Sequence, residues 1–336
     1  MALGSVPARC RAGPPVQRAR QALRGGQHPR RPVRARRSEL RGAPLTARFR
    51  PLLLLVATAG GLSLLDAILF GLVEGFTEYL PISSTGHLLV LARILDVGQA
   101  PHEEDAIKAY GIAIQSGAIL AVLGLYRHRF ATMIEGATGR SESGRRVLVA
   151  VLLAFVPAAV VGLIGERVIK DALFGVWPVV VAWAVGGVLV IVFSRHGVLA
   201  PRDGLTLDVI TPRHALLIGL AQVLALWPGT SRSLATIVGA LLVGLSMHAA
   251  VEFSFLLGFV TLSAATGYEI VRHGQTMLDA FGWFTPLVGL LAAYVAAVVS
   301  IKWMIGYLEH HDLAIFGWYR IGVAAVVALL VARGVI

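Results

Sequence analysis

Glu74 and Glu78 stand four residues apart in GLVEGFTEYLPISSTGH, residues 71–87, and are followed within a dozen residues by Ser83, Ser84, Thr85 and His87. On a helix, positions i and i+4 share a face, so the two carboxyls would sit one turn apart just before Pro81 breaks the helix. An ionised carboxylate in apolar surroundings is costly, and two close together repel, so the pair calls for a shared proton or a neighbouring cation. That combination suits a general base or a metal ligand. The plainer alternative is a glutamate that snorkels or bonds a neighbouring helix. The three hydroxyls precede the apolar run LLVLARIL, where a helix N-terminus is expected. One of them then serves as an N-cap, and the free N–H groups with the positive helix end form an anion site. His87 is a candidate proton shuttle for a serine nucleophile, or an additional ligand.

A second polar cluster lies in WPGTSRSLAT, residues 227–236. Arg232 sits between Ser231 and Ser233 just after a Pro-Gly break, with Thr236 one turn on. An arginine in apolar surroundings needs an anion, and its fork matches phosphate oxygens or a carboxylate. A structural pair with Glu78 or Glu74 is the alternative to a ligand, and the two can alternate during turnover. Gln115 and Glu252 are lone polar groups within apolar runs and are expected to pack or support. His310 and His311 are expected in a solvated loop. There is no HExxH, P-loop or GxSxG pattern.

These residues must be positioned by a chain that is 56% hydrophobic and 15% charged, with a mean hydropathy of +0.74. The apolar residues fall in blocks, which implies an all-α polytopic membrane protein. Six stretches are long enough to span: about 108–126, 147–165, 173–194, 250–271, 284–305 and 317–335. Residues 64–95 and 214–245 are apolar but interrupted by PISSTGH and PGTSRS. Broken backbone at membrane depth requires protein or a wet cavity to satisfy it, so both read as re-entrant helix-loop-helix hairpins. Setting Gly71 against Gly219 pairs Glu74 with Gln222, and a one-residue slip then pairs Pro81 with Pro228 and Ser84 with Ser231. Each hairpin is followed by three spans, so the second enters from the face opposite the first. The domain 63–336 thus reads as an inverted-topology repeat, with copies at about 63–195 and 213–336. Five Arg in residues 127–146 and three in 195–213 place those loops in the cytoplasm.

The net charge of +11 resides in the first fifty residues, which hold 13 Arg, no Lys and one acidic residue, Glu39. The remainder is close to neutral, which excludes a nucleic-acid-binding face on the body of the protein. Residues 1–62 are expected to be a disordered Arg-rich tail or not to be translated. The chain contains no Asn and three Lys against 27 Arg, as a GC-rich gene would give, and a start nearer Val56 or Leu62 fits that bias. The alternative, an extra span over residues 52–73, is less favoured. Cys10 is the one cysteine, so no intrachain disulfide or multi-thiolate site can form.

The strings E-G-F-T-E-Y-L-P-I-S-S-T-G-H and P-G-T-S-R-S-L-A-T resemble the two signature regions of the bacterial undecaprenyl-diphosphate phosphatase family, also called bacitracin-resistance proteins. The resemblance covers residues 63–336 and includes A-L-W-P-G before the second motif and E-F-S-F-L-L after it. Leu234 departs from the family's usual Gly, and the Arg-rich tail lies outside its pattern. The resemblance implies hydrolysis of undecaprenyl diphosphate to undecaprenyl phosphate and phosphate, which recycles the lipid carrier of cell-wall synthesis and gives bacitracin resistance. It implies a site opening to the periplasmic side of the bacterial inner membrane. Glu74 and Glu78 match the acidic motif, and Ser84 and His87 the proposed nucleophile and proton-transfer residue. Ser231, Arg232 and Thr236 match the pyrophosphate cradle, with Ser83, Thr85 and Ser233 as neighbouring diphosphate contacts. A divalent cation, Mg²⁺ or Ca²⁺, on Glu74 or Glu78 is expected because oxygen ligands suit hard cations. The expected partners are the lipid substrate and membrane lipids, with no nucleic acid, and a homodimer is the assembly to test. Two rival classes share parts of this pattern. A polyprenyl-phosphate carrier shares the inverted-repeat plan. An acid-phosphatase-like lipid phosphatase needs a histidine soon after its Ser-Arg pair, and none follows until His248.

Overall fold

The computed structural model describes residues 62–97, 101–200 and 203–336. The expectations for the Arg-rich tail therefore fall outside the described residues. Among those residues the chain is nearly all helical, apart from one isolated parallel bridge between Leu205 and Leu245. Six helices are long and apolar enough to cross a membrane. They are α3 (Pro101–Leu125), α5 (Glu142–Leu173), α6 (Val176–Arg195), α9 (Met247–Phe281), α10 (Phe284–Leu308) and α11 (Ala314–Ala332), and they answer one for one to the expected spans.

Both interrupted stretches form two short helices around a break. The first is α1 (Leu64–Thr77) and α2 (Ser84–Leu95); the second is α7 (Pro212–Val223) and α8 (Arg232–Leu242). Each opens on a capping box. Ser63 Oγ accepts from Asp66 N while the Asp66 carboxylate accepts from Ser63 N, and Thr211 exchanges the same bonds with His214. Each break ends on a serine forced to positive φ, Ser83 at 74° and Ser231 at 75°. A non-glycine residue held there costs about 1–3 kcal/mol, so the surroundings must fix it. Ser231 Oγ caps its helix by accepting from Leu234 N, whereas Ser83 makes no side-chain cap.

The matched serines correct the register. Ser83 and Ser231 are 148 apart (231 − 83), as are Gly71 and Gly219 (219 − 71) and Glu74 and Gln222 (222 − 74). One constant offset covers the hairpin, so the one-residue slip inferred from the prolines is not needed. Ser84 corresponds to Arg232 rather than Ser231, because backbone conformation, not proline identity, marks the equivalent position. Several helix pairings are compatible with an exchange of halves, α1 packing on α10 and α7 on α5, while α3 packs on α9 and α6 on α11; α3 also packs closely on α10, a contact that α9 and α5 match only weakly.

These packings rely on small residues, as apolar helices lacking a hydrophobic drive toward each other must. Gly71 and Gly75 of α1 lie against Gly289 and Ala293 of α10, and Gly219 of α7 lies against Ala154 of α5. Two further departures from expectation stand out. Residues Arg127–Ala137, expected as loop, form a short helix, α4, that buries Phe130, Met133 and Gly136 at helical spacing. Helix α9 runs ten residues past its expected end at 271. There Glu269 and His273 pair at 3.7 Å, and Gln275 donates to Asp279 at 2.8 Å, both one turn apart.

A carbon added at Gly219 would fall 2.9 Å from Ala154 Cα. Gly219→Leu is expected to lower the apparent melting temperature in detergent, because forcing bulk into a closed contact costs about 1–3 kcal/mol. An unchanged melting curve would show that α5 and α7 do not close as described.

Candidate functional site

The two breaks meet at Glu78. Glu78, 7% exposed, is the C-cap residue of α1, and its carboxylate divides its oxygens between the halves of the chain. Oε2 accepts a hydrogen bond from Ser84 Oγ, and Oε1 accepts one from Arg232 Nη2 at 3.2 Å. Arg232 is held from the other side. Its Nη1 donates to Ser254 O at 3.1 Å, its Cζ lies 5.4 Å from the Tyr79 ring centroid, and Gly258 leaves the space its guanidinium fills. The structural arginine–glutamate pair is therefore present.

Beside this pair lies a cavity of about 190 Å³. Glu78, Ser83, Ser84, Thr85, Ser231 and Arg232 lie on its polar wall, joined by the amides of Gln115 and Gln222. Ala158, Leu226 and Leu262 form an apolar side. Gln115, expected only to pack or support, is thus a wall residue, fixed by Thr266 Oγ1 donating to its Oε1 at 3.2 Å.

Other expected site residues lie off the wall. Glu74, 1% exposed, stands behind Glu78, and its Oε1 has no hydrogen-bond partner. The hydroxyls of Ser233 and Thr236, both fully buried, are engaged by protein: Ser233 Oγ donates to Leu80 O at 2.9 Å, and Thr236 Oγ1 lies 2.6 Å from Ser254 Oγ. The hydrogen bonds of His87 go elsewhere than Ser84. Its Nδ1 is 2.7 Å from Ser83 O, so that nitrogen carries the proton, and Nε2 accepts from Tyr319 Oη at 2.9 Å.

Two lone polar residues are accounted for elsewhere. Glu252 accepts from Arg129 Nε at 2.7 Å and Nη2 at 3.3 Å, at the same end of the helices as Asp208. The bond to Glu252, against the opposing effect of burial, holds the Arg129 guanidinium above its ordinary pKa and so charged. Glu252 thus ties α9 to α4 and takes no part in the cavity. His310 and His311 are exposed, as expected.

For a cation, the donor set is oxygen only. It comprises the Glu78 carboxylate and Gln115 amide on the wall and the unpartnered Glu74 Oε1 behind them. Among the described residues no three His, Cys, Asp or Glu side chains gather into a metal site. The set fits a hard cation that keeps waters or takes ligand oxygens.

Sequence reasoning missed Arg320, which is 0% exposed in the middle of α11 and donates to carbonyls of both breaks. The signal was available, since an arginine inside an apolar span is a functional flag by itself.

A family model described as "Bacitracin resistance protein BacA" matches residues 67–326. The chain belongs to that family. Curated relatives bear the name "Undecaprenyl-diphosphatase". The protein of Sorangium cellulosum is 45% identical over 267 residues, 79% of this chain and 85% of its own. That of Nitrosomonas europaea is 42% identical over 278 residues, 82% and 97% respectively. That of Methylococcus capsulatus is 40% identical over 267 residues, 78% and 93%. The matched region contains both breaks, the Glu78–Ser84–Arg232 constellation and Arg320, and this BacA-family chain is a multi-pass membrane protein.

Removing the arginine strands a buried carboxylate, which costs about 3–5 kcal/mol, whereas removing both charges does not. Arg232→Gln is expected to melt well below wild type in detergent, and Arg232→Gln with Glu78→Gln to recover part of the loss. A double variant no more stable than the single one would contradict the pair.

Proposed function

We infer that this protein hydrolyses undecaprenyl diphosphate to undecaprenyl phosphate and inorganic phosphate, regenerating the lipid carrier of cell-wall polymers, the activity behind bacitracin resistance. One observation carries the reading beyond the relatives' names: a buried serine hydroxyl already donates to a carboxylate, beside an arginine, on the wall of a cavity.

In this reading the diphosphate enters the cavity and takes over the Arg232 guanidinium. The 3.2 Å contact to Glu78 is long for a charge-assisted hydrogen bond, which leaves the guanidinium open to competition. The free N–H groups at the start of α2 and α8 add donors at the same place. Ser84 Oγ attacks the terminal phosphorus as Glu78 takes its proton, and the bond to the bridging oxygen breaks, releasing undecaprenyl phosphate. Water then cleaves the phosphoserine and frees phosphate. His87 buttresses Ser83 through its carbonyl, and Ser83, Thr85 and Ser231 contact the phosphate oxygens. Ser233 and Thr236 hold the second break in shape. A Mg²⁺ or Ca²⁺ ion held by Glu78 and Glu74 would offset the charge of the diphosphate. The isoprenoid chain leaves along the apolar side of the cavity, past Ala158 and Leu226, toward lipid.

The hairpins are re-entrant and the halves inverted, as the exchange of helix pairings supports. Arg129, Asp208 and Glu252 then mark the cytoplasmic face of the inner membrane, and the first hairpin enters from the periplasmic side. The carrier alternative has no observation of its own. A cavity with acids and an arginine suits both, but a serine hydrogen-bonded to a carboxylate has a direct use in nucleophilic hydrolysis and none that transport calls for.

Purified wild-type protein in detergent with Mg²⁺ or Ca²⁺ is expected to release phosphate from undecaprenyl diphosphate, and chelator to suppress it. Ser84→Ala, with a melting temperature near wild type, should lower kcat by about 10²-fold or more, as loss of a nucleophile does; Glu78→Gln should lose at least as much, read only on the fraction that remains folded because it also strands Arg232. No release by folded wild type would sink the reading. Release undiminished by Ser84→Ala would assign the attack to water.

A further inference from the structure

We propose that Arg320 is the positioning residue that locks the two breaks together, and that bound diphosphate is the counter-ion to its buried charge. This rests on the phosphatase reading above and adds to it a residue outside both signature strings.

Its guanidinium is fully buried and makes four hydrogen bonds, all to backbone carbonyls. Nη1 donates to Pro81 O at 3.3 Å in the first break and to Thr230 O at 3.0 Å in the second. Nη2 donates to Gly229 O at 2.9 Å, again in the second break, and to Ala182 O of α6 at 2.9 Å. One side chain therefore spans the junction three residues before Ser84 and two before Arg232. Its grip sets the distance between the hydroxyl that attacks and the cation that holds the phosphate.

The charge has a second consequence. No carboxylate among the described residues forms an ion pair with Arg320, and its Nε is buried without a partner. Glu78, the carboxylate of the constellation, already serves Arg232 and Ser84. Carbonyl dipoles solvate a guanidinium but do not neutralise it, and a buried uncompensated cation raises the affinity of its neighbourhood for an anion. Arg320 does not itself line the cavity, but Gly229, whose carbonyl it holds, does, so its charge would act across that wall on a bound diphosphate.

The packing is committed to the arginine. Gly186 of α6 lies directly under the guanidinium, and a carbon added there would meet Arg320 Cζ at 3.0 Å. The preceding residue, Tyr319, holds His87, so consecutive residues of α11 reach both ends of the segment Pro81–His87.

The test compares wild type, Arg320→Lys and Arg320→Gln in detergent, measuring kcat and inhibition by inorganic pyrophosphate. Turnover by wild type tests the phosphatase reading; the pattern among variants tests Arg320. A lysine keeps the charge but cannot reach four carbonyls, so Arg320→Lys is expected to lose kcat by about tenfold or more while its pyrophosphate inhibition stays within about twofold of wild type. Arg320→Gln is expected to lose kcat and also to weaken pyrophosphate inhibition by about tenfold. Arg320→Gln inhibited as strongly as wild type would overturn the counter-ion role. If Arg320→Gln does not fold, Gly186→Ala displaces the guanidinium with its charge intact. It should lower kcat with inhibition unchanged, and an unchanged kcat there would overturn the positioning role.

Discussion

A carbonyl freed by a broken helix in the middle of an apolar bundle has no water to turn to, and the whole site is organised by that debt. The two breaks free a cluster of such carbonyls, and side chains from other helices answer them. Trp183 Nε1 of α6 donates to Ile82 O at 2.8 Å, Ser233 of α8 reaches back to Leu80 O, and Arg320 of α11 takes Pro81, Gly229 and Thr230. Because donors belonging to one break or to distant spans satisfy the acceptors of the other, neither hairpin can settle without its partner. The strain at Ser83 and Ser231 is tolerable for the same reason: the surroundings leave those residues no alternative.

Glu78 converts this structural bond into chemistry. A carboxylate has two oxygens, and here one balances a guanidinium while the other accepts the hydroxyl of Ser84. The first interaction sets a cation beside a carboxylate that would otherwise be buried alone, and the second places that carboxylate against the hydroxyl. Pairing with Arg232 and activation of Ser84 are therefore not rival explanations of the glutamate. Glu74, a turn behind with one oxygen unpartnered, extends the same acidic character away from the cavity wall.

Much of this was legible in the sequence. The six spans and both interruptions follow from runs of apolar residues, a signal that survives without tertiary information because lipid punishes every exception. Glu78 and Arg232 were visible for the same reason, being charges where charge is expensive. What stayed hidden depended on three-dimensional pairing. Glu252 read as a lone acid because its partner, Arg129, sits 123 residues away in a segment taken for loop. Ser233 and Thr236 read like wall residues because a motif records which hydroxyls are present, not which carbonyls consume them. Arg320 carried the flag of a charge inside an apolar span, but its role was hidden because its four acceptors lie in three other parts of the chain. The register slip arose from trusting proline, whereas positive φ at the two serines marks the equivalent backbone.

The constant offset also explains how one repeated backbone yields a single asymmetric site. Ser84 and Arg232 are each the first residue of a helix that follows a serine at positive φ, so both side chains start from the same place over a helix N-terminus. That place favours anions in either half. One copy spends it on a hydroxyl that can attack phosphorus, the other on a cation that can hold phosphate. Glu74 and Gln222 diverge in the same way, an acid in one half and its neutral amide in the other. With an acid in place of Gln222, three carboxylates would crowd one buried junction with too few cations to balance them. In the proposed hydrolysis, divergence at these positions relieves that repulsion and lets each half supply a different part of a site that lies where the two breaks meet.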